Sequence, residues 1–174
     1  MSEEVKALQA FLGKEKKREN VVETVLLENY DRYYRLAYSY TKNEADALDI
    51  VQNGAYKAIK NSSSLRNTEF AGTWIYRIML NEIFRFYQKK GPVCVSLEDM
   101  PVEQGKEDIY EDIDLKEALD SLSAEDKAVI ELRFFEECQL NEIAEILGEN
   151  LSTVKSRLYR GMKKLKLQLT LNEE

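Results

Sequence analysis

The 174-residue sequence contains no histidine and only two cysteines, Cys94 and Cys138, which stand far apart and form no CxxC pair. Without histidine, Ser-His-Asp and Cys-His catalysis are excluded, and so are the commonest zinc sites. Two isolated cysteines favour buried free thiols over a disulfide framework. No acidic spacing is typical of a carboxylate metal site. We therefore predict a protein that is not an enzyme and that holds no metal or other cofactor.

Helix breakers and long apolar runs are also scarce. Two prolines and seven glycines leave room for long uninterrupted helices. No apolar run approaches the roughly 18–20 residues that cross a bilayer. The first residues lack the charged-then-apolar order of a signal peptide. We expect a cytoplasmic protein with no direct membrane insertion.

Helical periodicity dominates what is present. Apolar residues recur at three- and four-residue spacing in residues 21–42 and 72–90, and no segment sustains the alternation of a strand. Both prolines, Pro92 and Pro101, fall in one acidic stretch that indicates a flexible linker. We predict an all-α fold of two small helical domains joined by this linker. The predicted parts are an N-terminal extension (1–20, loosely helical or disordered), a first domain (21–90), the linker (91–114) and a second domain (115–171).

The charge is strongly segregated along the chain. The net charge is −7, yet residues 1–97 carry +3, and residues 98–149 hold 18 acidic and 4 basic residues. Residues 151–170 hold six basic residues and no acidic one. Salt screens exposed charges beyond roughly 8–10 Å, so a ligand senses the local patch more than the total. This pattern predicts a nucleic-acid-binding helix whose binding is weak unless another contact holds it in place.

That basic segment ends a predicted helix-turn-helix. Ser123 suits the start of one helix, and a short helix over 140–147 ends at Gly148, which can adopt the positive φ of a helix terminus. Asn150 suits the N-cap of the following helix. At 100° per residue, that helix has an apolar face made of Leu151, Val154, Leu158, Met162 and Leu165. The opposite face carries hydroxyls and bases that can reach base edges and phosphates, namely Ser152, Ser156, Tyr159, Arg160 and Lys163, with Lys155 on the flank. A merely solvated, lysine-rich face is the alternative.

The first domain offers two further polar surfaces. Asn43 suits the N-cap of a helix to Lys60 that presents a polar stripe, which by itself is usually a solvated face. The helix over 72–89 mixes Trp74 and Tyr76 with basic and amide side chains, a combination that suits single-stranded nucleic acid. Alternatively, its aromatic and apolar residues form the core. The polar loop before it can shape a pocket for an extruded base.

Taken together, these segments resemble a two-domain extracytoplasmic-function (ECF) sigma factor of the sigma-70 family over residues 21–170. The motifs that carry the resemblance are "DALDIVQNGAYKA" (46–58), "TWIYRI" (73–78) and "TVKSRLYR" (153–160). Within the family, the chain is similar to members from Gram-positive bacteria that respond to cell-envelope or lysozyme stress. The resemblance implies a transcription initiation factor made of sigma region 2 and a region 4 helix-turn-helix. Such a factor directs core RNA polymerase to stress promoters by melting the −10 element and reading the −35 element.

The resemblance also implies roles for individual residues. The docking stripe for the β′ clamp helices of polymerase would comprise Asp49, Gln52, Asn53 and Tyr56. The −10 site would comprise Ser63, Leu65, Arg66, Asn67, Arg77, Asn81 and Arg85. The −35 site would comprise Ser152, Lys155, Ser156, Arg157, Tyr159, Arg160 and Lys163, with Arg157 and Lys163 nearer phosphate. The implied partners are core polymerase (β′ clamp helices and β flap), promoter DNA and an anti-sigma factor anchored in the membrane.

Three positions depart from the family pattern. Family members often have glutamate where Asn53 stands and a bulkier residue at Gly54, which costs a helix interior about 1 kcal/mol relative to alanine. We therefore expect the docking helix to be locally soft at Gly54. Leu65 stands where an aromatic side chain can form a wall of the base pocket.

Two other functions are compatible with part of the sequence. A stand-alone helix-turn-helix regulator would usually dimerise on two half-sites, and no dimer helix is evident. A helical adaptor that binds only protein would leave the hydroxyl and basic face over 152–163 without a role.

Overall fold

The computed structural model describes residues 3–90 and 109–172, and these two ranges belong to two separate compact units. The first unit contains α1 (Glu3–Glu28), α2 (Tyr30–Thr41), α3 (Glu44–Lys60) and α4 (Ala71–Lys90), with short 3-10 turns at Ser62–Ser64 and Thr68–Phe70 between α3 and α4. The second contains α5 (Ile109–Asp120), α6 (Ala124–Phe134), α7 (Leu140–Leu147) and α8 (Leu151–Asn172). No strand occurs in these two ranges, and the predicted all-α fold is confirmed. No helix within them is long and apolar enough to cross a membrane.

Helix ends follow the predicted local chemistry. The Asn43 side chain caps α3, and the Ser123 hydroxyl caps α6, each accepting a hydrogen bond from the backbone N–H three residues on, at 3.0 Å and 3.2 Å. Asn150 caps α8 in the same way at 2.8 Å. Gly148 ends α7 with φ of 68°, the left-handed conformation that glycine adopts without steric cost.

Two predicted boundaries lie inside helices. Residue 20 falls within α1, where Val22 and Leu26 are buried against the rest of the first unit. Residue 115 falls within α5, which begins at Ile109. Residues 91–108 of the predicted linker lie outside the described residues. The first helix of each unit therefore begins before the predicted domain boundary.

Aromatic packing organises the core of the first unit. Tyr33 of α2 and Tyr76 of α4 are buried, with ring centroids 5.0 Å apart and an edge-to-face angle of 73°. Tyr76 is therefore a core residue and is not available to stack on a nucleic-acid base. Trp74 and Phe84 are half-buried, so the core interpretation of this helix is partly correct.

Gly54 marks a close approach of α3 to α4. It is buried, and a Cβ atom at this position would clash with Sδ of Met79. The glycine is explained by this packing against a buried methionine. It is a tightly packed site rather than the soft one that propensity alone suggested.

The second unit packs α8 against α5 and α6. Leu119, Leu122 and Ile130 form a buried cluster against which Leu158 and Leu165 of α8 pack. The predicted inclusion of Met162 in this face is wrong, because its side chain is 48% exposed. Gly161 is buried in its place. A Cβ atom at Gly161 would lie only 3.1 Å from Cγ1 of Ile130, so the absence of a side chain allows α8 to pack closely against α6. The helix-turn-helix core also includes Ile143, Ile146 and Val154.

Candidate nucleic-acid interface

The exposed face of α8 gathers six of the seven residues predicted to bind the −35 element. The turn from Gly148 to Asn150 sets the start of this helix, and its buried side faces α5, α6 and α7. Tyr159 is 74% exposed. The other exposed members are Ser152, Lys155, Ser156, Arg160 and Lys163. Spacings of three and four residues keep all six on one side of the helix.

The seventh residue, Arg157, points into the unit. Its Nε donates to both carboxylate oxygens of Glu149, at 3.1 Å and 2.8 Å, and Nη2 donates to Oε1 at 2.8 Å. Its Nη1 donates to Oδ1 of Asp126 at 3.1 Å. The hydrogen bonds to Glu149 raise the pKa of Arg157 above its ordinary value, and the hydrogen bond to Asp126 adds to this effect. Burial acts in the opposite direction but is outweighed. The prediction that Arg157 contacts phosphate is corrected, because all three guanidinium nitrogens are occupied within the unit.

Arg160 shares the same acidic partner but remains at the surface. Its Nε donates to Oδ2 of Asp126 at 2.7 Å and its Nη2 donates to Oδ1 at 2.6 Å, a fork-to-fork pair. The Arg160 side chain is 60% exposed, whereas that of Asp126 is 7% exposed. Burial acts to raise the pKa of Asp126, but hydrogen bonds from Arg160 and Arg157 outweigh it and hold that pKa below its usual value. The same pairing raises the pKa of Arg160. The carboxylate is therefore ionised at neutral pH and links α6 to the exposed face of α8.

Two exposed aromatics at the end of α6 were missed from the sequence. Phe134 and Phe135 are 54% and 57% exposed, just before the segment that leads to α7. Phe134 is the last residue of α6 and Phe135 follows it as the C-cap, beyond the run of buried residues from Asp126 to Leu132. Hydropathy alone would place two phenylalanines in a core, so their exposure had no signal in the sequence. Together they form an exposed apolar patch on the second unit.

The predicted docking stripe is an exposed face of α3. Asp49, Gln52, Asn53 and Tyr56 are all exposed and follow the i, i+3, i+4, i+7 pattern of one helix face. Tyr56 is 63% exposed, and Nζ of Lys60 lies 5.7 Å from the centre of its ring. The stripe thus joins acidic, amide and aromatic groups in a surface that the first unit leaves uncovered.

The loop between α3 and α4 presents a smaller surface than predicted. Ser63, Arg66 and Asn67 are exposed, and Asn67 caps the second 3-10 turn by accepting from the N–H of Glu69 at 3.0 Å. Leu65 is only 3% exposed, so the prediction that it contacts DNA is corrected. Its side chain anchors the loop in the core and cannot form a wall of an open pocket.

Next to this loop, α4 carries a polar stripe. Arg77, Asn81 and Arg85 are exposed at four-residue spacing, and Nη1 of Arg85 pairs with Oε1 of Glu82 at 3.1 Å. Phe70, at the end of the loop, is 54% exposed and was missed from the sequence. Phe70 is the last residue of the 3-10 turn that leads directly into α4, so an exposed aromatic side chain precedes this stripe in the chain. Among the residues that the structure describes, no cluster of acidic or cysteine side chains is arranged to hold a metal ion.

Comparison with known proteins finds matches to both units. Residues 25–92 match the family described as Sigma-70 region 2, and residues 112–165 match Sigma-70, region 4. RNA polymerase sigma factor SigV of Bacillus subtilis (strain 168) is 46% identical over 150 residues, covering 84% of this chain and 90% of that protein. ECF RNA polymerase sigma factor SigW of the same organism is 32% identical over 156 residues, covering 80% and 83%. Among solved structures, the sigma factor RpoE of Bartonella quintana, in complex with the anti-sigma factor NepR, matches with a TM-score of 0.66 at 26% identity, covering 85% of this chain and 96% of that one.

Proposed function

The chain belongs to the extracytoplasmic-function group of the sigma-70 family of RNA polymerase sigma factors, and we propose that it directs core polymerase to stress promoters by binding their −10 and −35 elements. The observation that carries this proposal is the pairing, on one chain, of a region 2 unit with a region 4 unit. The exposed hydroxyl and basic face of α8 supports the same function. Neither catalysis nor a cofactor is needed, since the polymerase supplies the chemistry.

In the proposed −35 contact, α8 enters the major groove with its N-terminal turns against the bases. Arginine and lysine pair with the O6 and N7 acceptors of guanine, and serine hydroxyls can serve either donor or acceptor edges. Arg160 and Lys155 are then the main base contacts, with Ser152, Ser156 and Tyr159 beside them. Lys163, further along the helix, neutralises phosphate.

In the proposed −10 contact, the loop between α3 and α4 receives an unstacked base from the melted strand. Ser63, Arg66 and Asn67 supply polar groups at this loop, and Phe70 supplies an aromatic face on which a base can stack. The stripe over Arg77, Asn81 and Arg85 then follows the phosphate backbone of that strand.

Two protein surfaces remain for polymerase. The α3 stripe, which contains Asp49 and Gln52, is proposed to bind the β′ clamp helices. The patch formed by Phe134 and Phe135 is proposed to bind the β flap, because exposed neighbouring aromatics are typical of interface anchors.

An anti-sigma factor is the proposed regulator. The matching Bartonella quintana structure contains a sigma factor bound to its anti-sigma factor. By analogy, we propose that an anti-sigma factor covers the polymerase-binding faces of this chain until stress removes it. That this regulator is anchored in the membrane is a proposal that rests on the family resemblance alone. The expected site of action is the cytoplasm, where polymerase and promoter DNA are found.

The acidic net charge is consistent with a protein that binds promoter DNA only together with polymerase. The net charge of −7 weakens the attraction between the basic face of α8 and free DNA, so we expect stable promoter contact only when polymerase holds the chain there. Two weak DNA contacts on one chain then raise each other's effective concentration. A stand-alone helix-turn-helix regulator would leave the first unit and its α3 stripe without a role. A protein-binding adaptor would leave the hydroxyl and basic face of α8 without a role.

Binding to core polymerase tests the docking surface on which this function depends. The labelled full chain is titrated with core enzyme, and Asp49→Asn is compared with Glu44→Gln, which removes one carboxylate from a different side of the same helix. We expect Asp49→Asn to weaken binding by about 1 kcal/mol or more, the usual threshold for an interface residue that matters. Glu44→Gln should bind like the wild type. Equal binding by both variants would remove the α3 stripe from the interface.

A further inference from the structure

We propose that Asp126 is a specificity-positioning residue for the −35 element, because its carboxylate fixes the Arg160 guanidinium in the orientation that presents one end to a guanine. This inference rests on the proposed function of α8. It assigns a role in base selection to a buried residue of α6, a helix that carries none of the predicted DNA contacts.

The geometry of the pair supports this role. An arginine side chain has five N–H donors on three nitrogens. Asp126 accepts one from Nε and one from Nη2, at 2.7 Å and 2.6 Å. Nη1 and the second hydrogen of Nη2 remain at the other end of the planar group. Those are the parallel donors with which arginine makes a bidentate contact to O6 and N7 of guanine.

Asp126 is itself held firmly enough to act as a support. Its side chain is 7% exposed, and its backbone N–H donates to the Ser123 cap in the first turn of α6. Arg157, which is also bound to Glu149, contacts Oδ1 from a second direction at 3.1 Å. A carboxylate with two arginine partners and a capped backbone has little freedom to move.

This arrangement separates the two arginines by function. Arg157 donates from all three nitrogens to Glu149 and Asp126, and so holds the Asp126 carboxylate in place. Arg160 donates to Asp126 from one edge of its guanidinium group, through Nε and Nη2, and its other edge remains available to DNA. The ordering of a long, 60% exposed side chain before binding reduces the conformational entropy lost when it contacts a base.

The test is a promoter library with every base tried at each −35 position, transcribed by core polymerase with the full chain. Wild type should prefer guanine at one position, and Arg160→Ala should reduce that preference by roughly 5- to 150-fold, the range for one bidentate contact. Asp126→Asn, which keeps the shape but loses the charge, should relax the preference at the same position. In the Arg160→Ala background, Asp126→Asn should change the preference no further.

Glu149→Gln is the matched control. It removes the charge and one acceptor oxygen of the main partner of Arg157, which should lower stability, but it leaves the pair of Asp126 and Arg160 in place. Its base preference should equal that of the wild type under conditions where circular dichroism shows all variants folded. A merely structural role for Asp126 predicts instead that Asp126→Asn and Glu149→Gln lower transcription uniformly with every preference retained, and that result overturns the inference.

Other outcomes are also decisive. If wild type shows no −35 preference, the proposed function of α8 fails first and the inference falls with it. If wild type shows a preference that Arg160→Ala leaves intact, only the inference fails. If Asp126→Asn does not fold, nitrogen-resolved NMR of the wild-type chain decides, with the Arg160 Nε–H signal assigned by its loss in Arg160→Lys. The Arg160 Nε–H should stay protected from solvent exchange when the chain binds a −35 duplex. Faster exchange of this proton on DNA binding would show that the hydrogen bond to Asp126 breaks, and would refute a supporting role for Asp126.

Discussion

Replacing Arg157 with alanine should destabilise the second unit strongly while leaving the first unit unchanged. Arg157 is 20% exposed and donates to Glu149 and Asp126 through all three nitrogens. Hydrogen bonds to charged groups contribute about 1.5–3 kcal/mol each, and breaking a fully buried ion pair costs about 3–5 kcal/mol. Asp126 keeps Arg160 as a partner, and Glu149 can regain water because it is 23% exposed. We therefore expect a loss of about 2–4 kcal/mol in the free energy of unfolding.

The chain provides separate probes for its two units. Trp74 is the only tryptophan and belongs to the first unit, so its fluorescence reports that unit, whereas circular dichroism reports both. In urea, Arg157→Ala should move the second-unit part of the dichroism transition to lower concentration and leave the Trp74 transition in place. The control is Lys155→Ala, an exposed residue two positions away, which should change stability by less than about 0.5 kcal/mol.

The opposite result would refute the internal role of Arg157. If Arg157→Ala and Lys155→Ala unfold alike, the network with Glu149 and Asp126 contributes nothing to stability. A phosphate contact at Arg157 would then show itself differently, as a fall of about 0.9 in the slope of log affinity against log salt.

Two further predictions concern stability. Because the folded-state pKa of Asp126 lies below its usual 3.8, its ionised form stabilises the second unit above that pH, and this contribution is lost as the pH falls through the folded-state pKa. The stability difference between wild type and Asp126→Asn should therefore be constant near neutral pH and shrink in urea titrations below about pH 4; a constant difference down to pH 3 would contradict it. Gly54→Leu should destabilise the first unit by about 1–3 kcal/mol or more in the Trp74 transition, because it forces side-chain atoms against buried Met79. Gly72→Ala is its control, since no atom lies within 4 Å of the added Cβ; a similar loss in both would exclude packing as the cause.

Local chemistry was predictable because it acts over one helical turn. Asn43, Ser123 and Asn150 cap the helices that their side chains indicated, and Gly148 ends α7 with a positive φ. A cap needs only the backbone N–H two or three residues on, which the sequence itself supplies. The exposed faces of α3 and α8 followed from periodicity for the same reason.

Packing partners that lie far apart in the sequence were not predictable in this way. Periodicity placed Met162 in the core because it counts hydropathy, whereas the close approach of α8 to Ile130 needs the missing side chain of Gly161. Arg157 looked like one more base on a basic helix because its partner Asp126 is 31 residues away. Leu65 sits in a polar loop, and only the folded loop shows that its side chain is the anchor.

The long first helix has a similar explanation. The first twenty residues mix acidic, basic and apolar side chains, which predicts little helix on its own. In the structure, α1 runs through this segment, Val22 is buried further along the same helix, and Nη1 of Arg18 donates to the carbonyl of Ser63 at 3.0 Å. Tertiary contacts of this kind stabilise most helices in proteins and are absent from any local pattern.

The most direct test of the central claim is transcription in vitro. Genomic DNA of the source organism is transcribed by its core RNA polymerase with and without the full chain, and the 5′ ends of the transcripts are mapped. A sigma factor predicts new start sites that share one motif near −10 and a second near −35, and the −35 motif should degrade when Arg160→Ala replaces the wild type. An unchanged set of start sites, from a folded chain that binds the same core enzyme, would contradict the assignment of promoter recognition to this protein.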